Sequence, residues 1–148
     1  MSEELNELLD NAIYKEISAQ AFYIAGQDRT DDPGARTLMR ELADEEFKHS
    51  VWLEGLKEKG LTERTWRKEK VPDLKISEYL VGSDTLDGAS LQDTLVFAMK
   101  REQRSVEFYT GMMSVMKEKA AKRLCERLVN AELKHKYRLE IFYDDQFF

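Results

Sequence analysis

The chain has 148 residues, of which 42% are hydrophobic and 35% charged, and it contains only two prolines. This length suits a single domain spanning residues 1–148, and the composition favours helices over sheets. The formal net charge of -6 argues against a nucleic-acid partner, which needs a basic surface, while the acidic N-terminus and the lack of a long apolar run indicate a cytoplasmic protein without a membrane partner.

Four long helices are predicted, because apolar residues recur at intervals of three and four positions. Asp31, Asp32 and Pro33 are the start signals for the second helix, and Gly60 is well placed as its C-terminal cap. Ser90 opens the third helix. The predicted spans are about residues 3–27, 34–59, 90–117 and 119–143.

The connection between the second and third helices is long. It runs from the end of helix 2 to residue 89 and is predicted to contain a short helix through Leu74, Ile76, Tyr79 and Leu80. A helix of about 26 residues spans roughly 40 Å, so helix 3 can run parallel to helix 2 only if the chain first crosses that length. The predicted fold is therefore all-α, a four-helix bundle of two helical hairpins with a long crossover between helices 2 and 3.

The two halves of the chain resemble each other at an offset of 86 positions, which indicates an internal duplication. Apolar positions match, as Leu42 does Leu128, and so do aromatic ones, as Tyr23 does Tyr109. Two hairpins related by an approximate twofold axis would bring corresponding residues together at the middle of the bundle.

Each half also repeats one polar motif, a glutamate followed on the next helix by Glu-x-x-His. All six residues fall within apolar helical stripes, where a charge is costly unless it is compensated. One such motif would mean little, but its repetition at matching positions is not expected by chance. A core network of Glu–His ion pairs is the alternative, and it leaves a large negative charge uncompensated. The motif residues are Glu16, Glu46 and His49 in the first half and Glu102, Glu132 and His135 in the second.

Compensation by metal ions is the favoured interpretation. Four carboxylates and two imidazoles suit iron or manganese better than zinc or copper. The arrangement matches the ligand pattern known for di-iron and di-manganese helical bundles. We therefore predict two iron ions per chain, with manganese possible; Glu46 and Glu132 bridge them, Glu16 and His49 bind one, and Glu102 and His135 bind the other.

Three further residues lie on the same stripes. Tyr23 and Tyr109 follow Glu16 and Glu102 by two helical turns, and they are either an aromatic core layer or residues whose hydroxyls hydrogen-bond a ligand carboxylate. We favour the second role for Tyr23. The single cysteine, Cys125, excludes an intrachain disulfide and is interpreted as a small buried hydrophobic residue.

The sequence resembles the rubrerythrins of the ferritin-like di-iron superfamily. The stretch from Ala12 to Tyr23, the Asp44–His49 run and the Glu132–His135 motif carry this resemblance, which covers the whole predicted bundle. It implies a ferritin-like four-helix bundle with a di-iron centre, chemistry with hydrogen peroxide or dioxygen, and a homodimer.

The sequence departs from the rubrerythrin pattern at two points. Rubrerythrins usually carry a C-terminal rubredoxin domain, which this sequence does not contain, so electrons are expected from an external rubredoxin-type donor. Rubrerythrins also have a second glutamate three residues after the helix-3 ligand, where this chain has Ser105. The resemblance therefore implies six protein ligands, as in bacterioferritin-like centres, and puts the redox-linked movement of iron in doubt.

The leading functional hypothesis is a di-iron oxidoreductase that reduces hydrogen peroxide to water with electrons from the external donor. The first alternative is a ferroxidase or iron-handling protein, for which Fe(II) is the substrate. The second is a di-iron oxygenase, which would need an apolar pocket for an organic substrate beside the metals. The third is a metal-stabilised interaction module without turnover.

Overall fold

The structure, a computed structural model, describes residues 3–59 and 89–148, and these residues form helices joined by short turns. Helix α1 packs against α2, and α3 packs against α4, so each of the two compact units of the chain contains one helical hairpin. The predicted all-α class and the two hairpins are confirmed. The helices are α1 (Glu3–Asp28), α2 (Pro33–Lys59), α3 (Leu91–Val115) and α4 (Lys119–Phe147).

Local hydrogen bonds close the turn between α1 and α2. The carboxylate of Asp32 accepts a hydrogen bond from the amide of Ala35 at 2.8 Å, which makes Asp32 the N-cap and Pro33 the first residue of α2. The guanidinium of Arg36 donates to the carbonyl oxygens of Gln27 and Thr30, at 3.0 and 3.2 Å. The start of α2 predicted from the Asp–Pro sequence is therefore confirmed.

Hydrogen bonds fix the end of the α3–α4 hairpin at which α3 begins. Ser90 caps α3 by accepting a hydrogen bond from the amide of Asp93 at 3.1 Å. Gln92 at the start of α3 donates to the hydroxyl of Tyr143 near the end of α4, at 2.7 Å. At the other end, Met116 leaves the helical conformation with ψ 140°, and α4 begins three residues later.

Both hairpins bury the apolar stripes that the spacing predicted. The first buries residues such as Leu8, Leu9, Met39, Leu42 and Leu53, and the second buries Leu95, Met99, Leu124, Cys125 and Leu139. Within the described ranges, no helix combines the length and apolar character that a membrane-spanning segment needs.

Some predicted details differ from the structure. Ile24 lies three and four positions from other residues of the apolar stripe of α1, and this spacing predicts that it is buried, but its side chain is exposed. Helix α4 continues to Phe147, beyond the predicted end at residue 143, because no glycine or proline follows to stop it. The predicted cap at Gly60, the crossover and the short helix through Leu74 and Leu80 lie outside the described residues.

Helix α4 also buries an ion pair that the sequence analysis did not predict. The ammonium group of Lys136 lies 3.7 Å from a carboxylate oxygen of Glu140, one turn further along, and both side chains are fully buried. A buried pair contributes little net stability relative to apolar residues of similar size, but loss of one partner leaves a costly buried charge. The α3–α4 hairpin should therefore be sensitive to disruption of this pair.

We predict that Glu140→Ala lowers the free energy of unfolding by about 3–5 kcal/mol, because it removes one partner of a fully buried ion pair. Chemical denaturation of the metal-free protein measures this difference. The control Glu107→Ala removes an exposed carboxylate of α3 and should change the stability by less than about 0.5 kcal/mol. An equally small effect of Glu140→Ala would show that Lys136 does not depend on this partner.

Candidate metal centre

The first hairpin brings three of the predicted ligands together. Helix α1 supplies Glu16, while Glu46 and His49 lie three positions apart on one face of α2. The Nδ1 atom of His49 lies 3.6 Å from a carboxylate oxygen of Glu16, and Glu46 and His49 each offer a ligand atom within 4.8 Å of the other. Both carboxylates are buried, whereas the imidazole of His49 is 31% exposed.

The second hairpin repeats this arrangement. Helix α3 supplies Glu102, and α4 supplies Glu132 and His135 at the same three-residue spacing. The Nδ1 atom of His135 lies 3.7 Å from a carboxylate oxygen of Glu102, and each of the three residues offers a ligand atom within 4.8 Å of the other two. All three are at most 4% exposed. We refer to these two groups of three residues as the first and second half-sites.

The helical periodicity explains why each half-site is buried. Glu16 follows Leu9 and Ala12 on the inward stripe of α1, and Glu132 follows Cys125 and Leu128 on that of α4. Carboxylates at such positions leave water on folding together with the apolar residues around them. Folding therefore buries carboxylates that would be more stable in water.

The electrostatics of each half-site favour a cation. Two buried carboxylates share one imidazole, so even a protonated histidine leaves a negative charge in each hairpin. In the first half-site, neither carboxylate oxygen of Glu16 accepts a hydrogen bond from any described residue, although both are shielded from solvent. Glutamate oxygens and imidazole nitrogens are ligands that iron and manganese accept, so the residues present fit the predicted metal.

The two tyrosines occupy equivalent positions in the hairpins. Tyr23 and Tyr109 are almost fully buried, and each packs edge-on against the preceding phenylalanine, with ring centroids 5.4 and 5.2 Å apart. Their position in the core is as expected for residues two turns from a ligand glutamate. A hydrogen bond from either hydroxyl to a ligand carboxylate remains a prediction.

Three other positions bear on the site. Cys125 is fully buried, as expected for a small core residue. Ser105 is half-buried on α3, one turn beyond Glu102. The Lys136–Glu140 pair directly follows His135 on α4, and the spacing of opposite charges by four residues was the sequence signal that could have indicated it.

These features define a class of protein, the ferritin-like carboxylate proteins, in which helical hairpins supply a glutamate and a Glu-x-x-His motif each. The family model for rubrerythrin matches residues 7–143, and the chain belongs to this family. The predicted resemblance and the ferritin-like fold class are thereby confirmed.

A solved structure of a hypothetical protein from Pyrococcus furiosus is also similar. It shares 29% sequence identity with this chain, the match covers 95% of this chain and 88% of that one, and the TM-score is 0.63. No curated protein matches the chain.

The buried charge of Glu16 yields a prediction about stability. Glu16→Leu should raise the melting temperature of the metal-free protein, because it replaces a buried carboxylate without hydrogen bonds by an apolar side chain. The same substitution should reduce the stabilisation on adding Fe(II), which for a site at a thousandfold excess over Kd is about 4 kcal/mol.

Anaerobic thermal denaturation with and without Fe(II) tests both parts. Leu9→Ala, in the same stripe of α1 but without a ligand atom, is the control: it should destabilise both forms equally and leave the effect of iron intact. If Glu16→Leu retained the full stabilisation by iron, Glu16 would not be a ligand.

Proposed function

We propose that the two half-sites together hold two iron ions, with manganese as a possible replacement, and that the chain is a di-iron oxidoreductase that reduces hydrogen peroxide. The observation that carries this proposal is the repetition of a buried Glu and Glu-x-x-His group in both hairpins. Membership of the rubrerythrin family supports it.

The residues proposed as ligands are the six of the two half-sites. When bound, two ferrous ions supply the two electrons and the Lewis acidity needed to cleave the O–O bond of peroxide. The balanced step consumes one peroxide, two electrons and two protons and yields two water molecules. An external donor, such as a rubredoxin-type protein, then returns the electrons.

The chain's own residues would contribute selectivity and access. The apolar stripes around the half-sites keep bulk water from the buried carboxylates, which preserves the strength of their interaction with a cation. Among the six residues only His49 has substantial exposure, so we propose that peroxide and electrons approach from its side. The hydroxyl of Tyr23 would orient a ligand carboxylate.

A ferroxidase function is the second candidate, and Ser105 is the observation that favours it. Without a further carboxylate at this position, the proposed ligand set has six members and is similar to that of bacterioferritin-like centres. Such a protein would oxidise Fe(II) as its substrate and pass the product on. The two functions differ in the preferred oxidant and in the fate of iron.

Metal content tests the site itself. After anaerobic reconstitution with Fe(II) and removal of excess metal, we expect about two iron ions per chain. Glu46→Ala and Glu132→Ala, which alter corresponding positions of the duplication, should each lower this ratio to about one or less because each removes a buried ligand. The control Glu118→Ala, outside both half-sites, should not change it. Iron contents near zero in a folded parent protein would contradict the assignment.

Reaction kinetics separate the two candidate functions. Stopped-flow mixing of the ferrous protein should show faster oxidation by peroxide than by dioxygen, and continuous turnover should require a rubredoxin-type donor with its reductase. Glu132→Ala should lose the peroxide reaction through loss of metal. Faster reaction with dioxygen, with iron accumulating well beyond the ligand sites, would favour the ferroxidase.

A further inference from the structure

Helix α4 buries three charged side chains at intervals of four residues. Glu132, Lys136 and Glu140 are 4%, 0% and 0% exposed. Residues four positions apart are neighbours on one side of a helix, so Lys136 has one carboxylate a turn before it and another a turn after it. Glu132 belongs to the second half-site, whereas the proposed reaction gives Lys136 and Glu140 no role.

The pair with Glu140 does not use the whole hydrogen-bonding capacity of Lys136. The Nζ atom of Lys136 lies 3.7 Å from a carboxylate oxygen of Glu140, which is longer than a direct hydrogen bond. An ammonium group carries three N–H donors, and buried donors are nearly always satisfied. A further acceptor for Lys136 is therefore expected inside the α3–α4 hairpin.

Glu132 is well placed to be this acceptor. Side chains of a helix lean towards its N-terminus, so the long side chain of Lys136 extends over the turn that carries Glu132. A glutamate that precedes a lysine by four positions also forms a better pair than one that follows it by four. By both criteria, Glu132 is a better oriented partner for Lys136 than Glu140 is.

The first hairpin has no counterpart of this lysine. Ser50 occupies the corresponding position on α2, one turn beyond Glu46. Its hydroxyl donates to the backbone carbonyl of Phe47 at 2.7 Å, so it is satisfied by its own helix and adds no charge. The two half-sites therefore have the same motif residues, but only the second has a buried cation beside the glutamate of its Glu-x-x-His motif.

We infer that Lys136 is a positioning residue of the second half-site, which holds Glu132 through its ammonium group and raises the reduction potential of the iron bound there. This inference rests on the proposed function, because it takes the half-sites to hold iron. A fixed positive charge favours Fe(II) over Fe(III), since the ferric ion carries one more positive charge and is repelled more strongly.

The spacing along α4 determines the sign of this effect. Lys136 is about 6 Å along the helix axis from Glu132, and Glu140 is about 12 Å from it. The nearer charge has the larger effect on the ion, so the pair as a whole contributes a positive potential at the half-site. Glu140 keeps the lysine charged in the interior. A higher potential makes the ferric centre easier for an external donor to reduce.

A double-mutant cycle in the metal-free protein tests the pairing of Lys136 with Glu132. The reference is Lys136→Met/Glu140→Leu, called the apolar variant, which replaces the ion pair by apolar residues, an exchange that is often neutral or stabilising. Glu132→Gln should lower the melting temperature of the parent, because it removes a charged partner of a buried lysine. In the apolar variant it should raise the melting temperature, because Glu132 is then a buried carboxylate without that cation.

The control for this cycle is Glu46→Gln, which alters the corresponding glutamate of the first hairpin. It should change the melting temperatures of the parent and of the apolar variant by the same amount, because no lysine occupies the position of Ser50. Equal effects of Glu132→Gln in the two proteins would overturn the inference.

Redox potentiometry of the iron-loaded protein tests the effect of the charge. The apolar variant should have a ferrous-to-ferric ratio about fivefold lower at a given potential, which corresponds to a reduction potential about 40 mV lower for a one-electron couple. Ser50→Ala, at the uncharged corresponding position, should leave the potential unchanged.

Iron content, measured first, separates this inference from the proposed function. An unchanged potential in an apolar variant with full iron content would overturn the inference and leave the proposed di-iron site intact. A folded parent that binds no iron would contradict the proposed function and, with it, the effect on potential. The cycle in the metal-free protein would still decide whether Lys136 pairs with Glu132.

Discussion

The burial of glutamate carboxylates in apolar helical stripes is the constraint on which the rest of this structure depends. An ionised carboxylate in a protein interior is unfavourable unless a cation or several hydrogen bonds compensate it. Each hairpin places two such groups beside a single histidine, whose Nδ1 atom lies 3.6 Å from Glu16 in the first hairpin and 3.7 Å from Glu102 in the second. Folding buries these glutamates together with the apolar core residues, and a bound cation compensates their charge. The metal-bound state is therefore favoured over the metal-free one.

The duplication shows which features this constraint preserves. The residues of the half-sites, the buried tyrosines and their edge-on phenylalanine contacts recur in both hairpins. Elsewhere the halves have diverged: Ser50, whose hydroxyl donates to the carbonyl of Phe47, corresponds to the buried Lys136. The difference is consistent with a metal site that constrains one stripe of each helix and leaves adjacent stripes free to change.

The sequence predicted the features that depend on local chemistry and periodicity. Asp32 and Pro33 identify the start of α2 because an N-cap and a fixed φ act within one turn. The proximity of Glu46 and His49 could be predicted because a three-residue spacing places them on one helical face. The fold class follows from the same periodicity, repeated across both halves.

Features that depend on packing between helices could not be predicted in this way. Ile24 continues the spacing of the α1 stripe, yet its side chain is exposed. The spacing shows on which side of the helix a residue lies, but not whether another helix packs against that side at its level. Lys136 and Glu140 resemble a solvent-exposed helical pair in sequence, and only the packed structure shows that both are buried. The same applies to His49, whose exposure differs from that of His135 although their motifs are equivalent.

The difference in exposure between His49 and His135 bears on the reaction of the site more than on its affinity for metal. The buried carboxylates account for why the site would hold cations, and they do so equally for a peroxidase, a ferroxidase or an oxygenase. What distinguishes these functions is which molecule can reach the ions and where the electrons go. An equivalent pair of fully buried half-sites would favour slow exchange with the surroundings. His49 is 31% exposed and His135 only 2%, so the selectivity of the protein is expected to reside in α1 and α2 more than in the proposed ligand set itself.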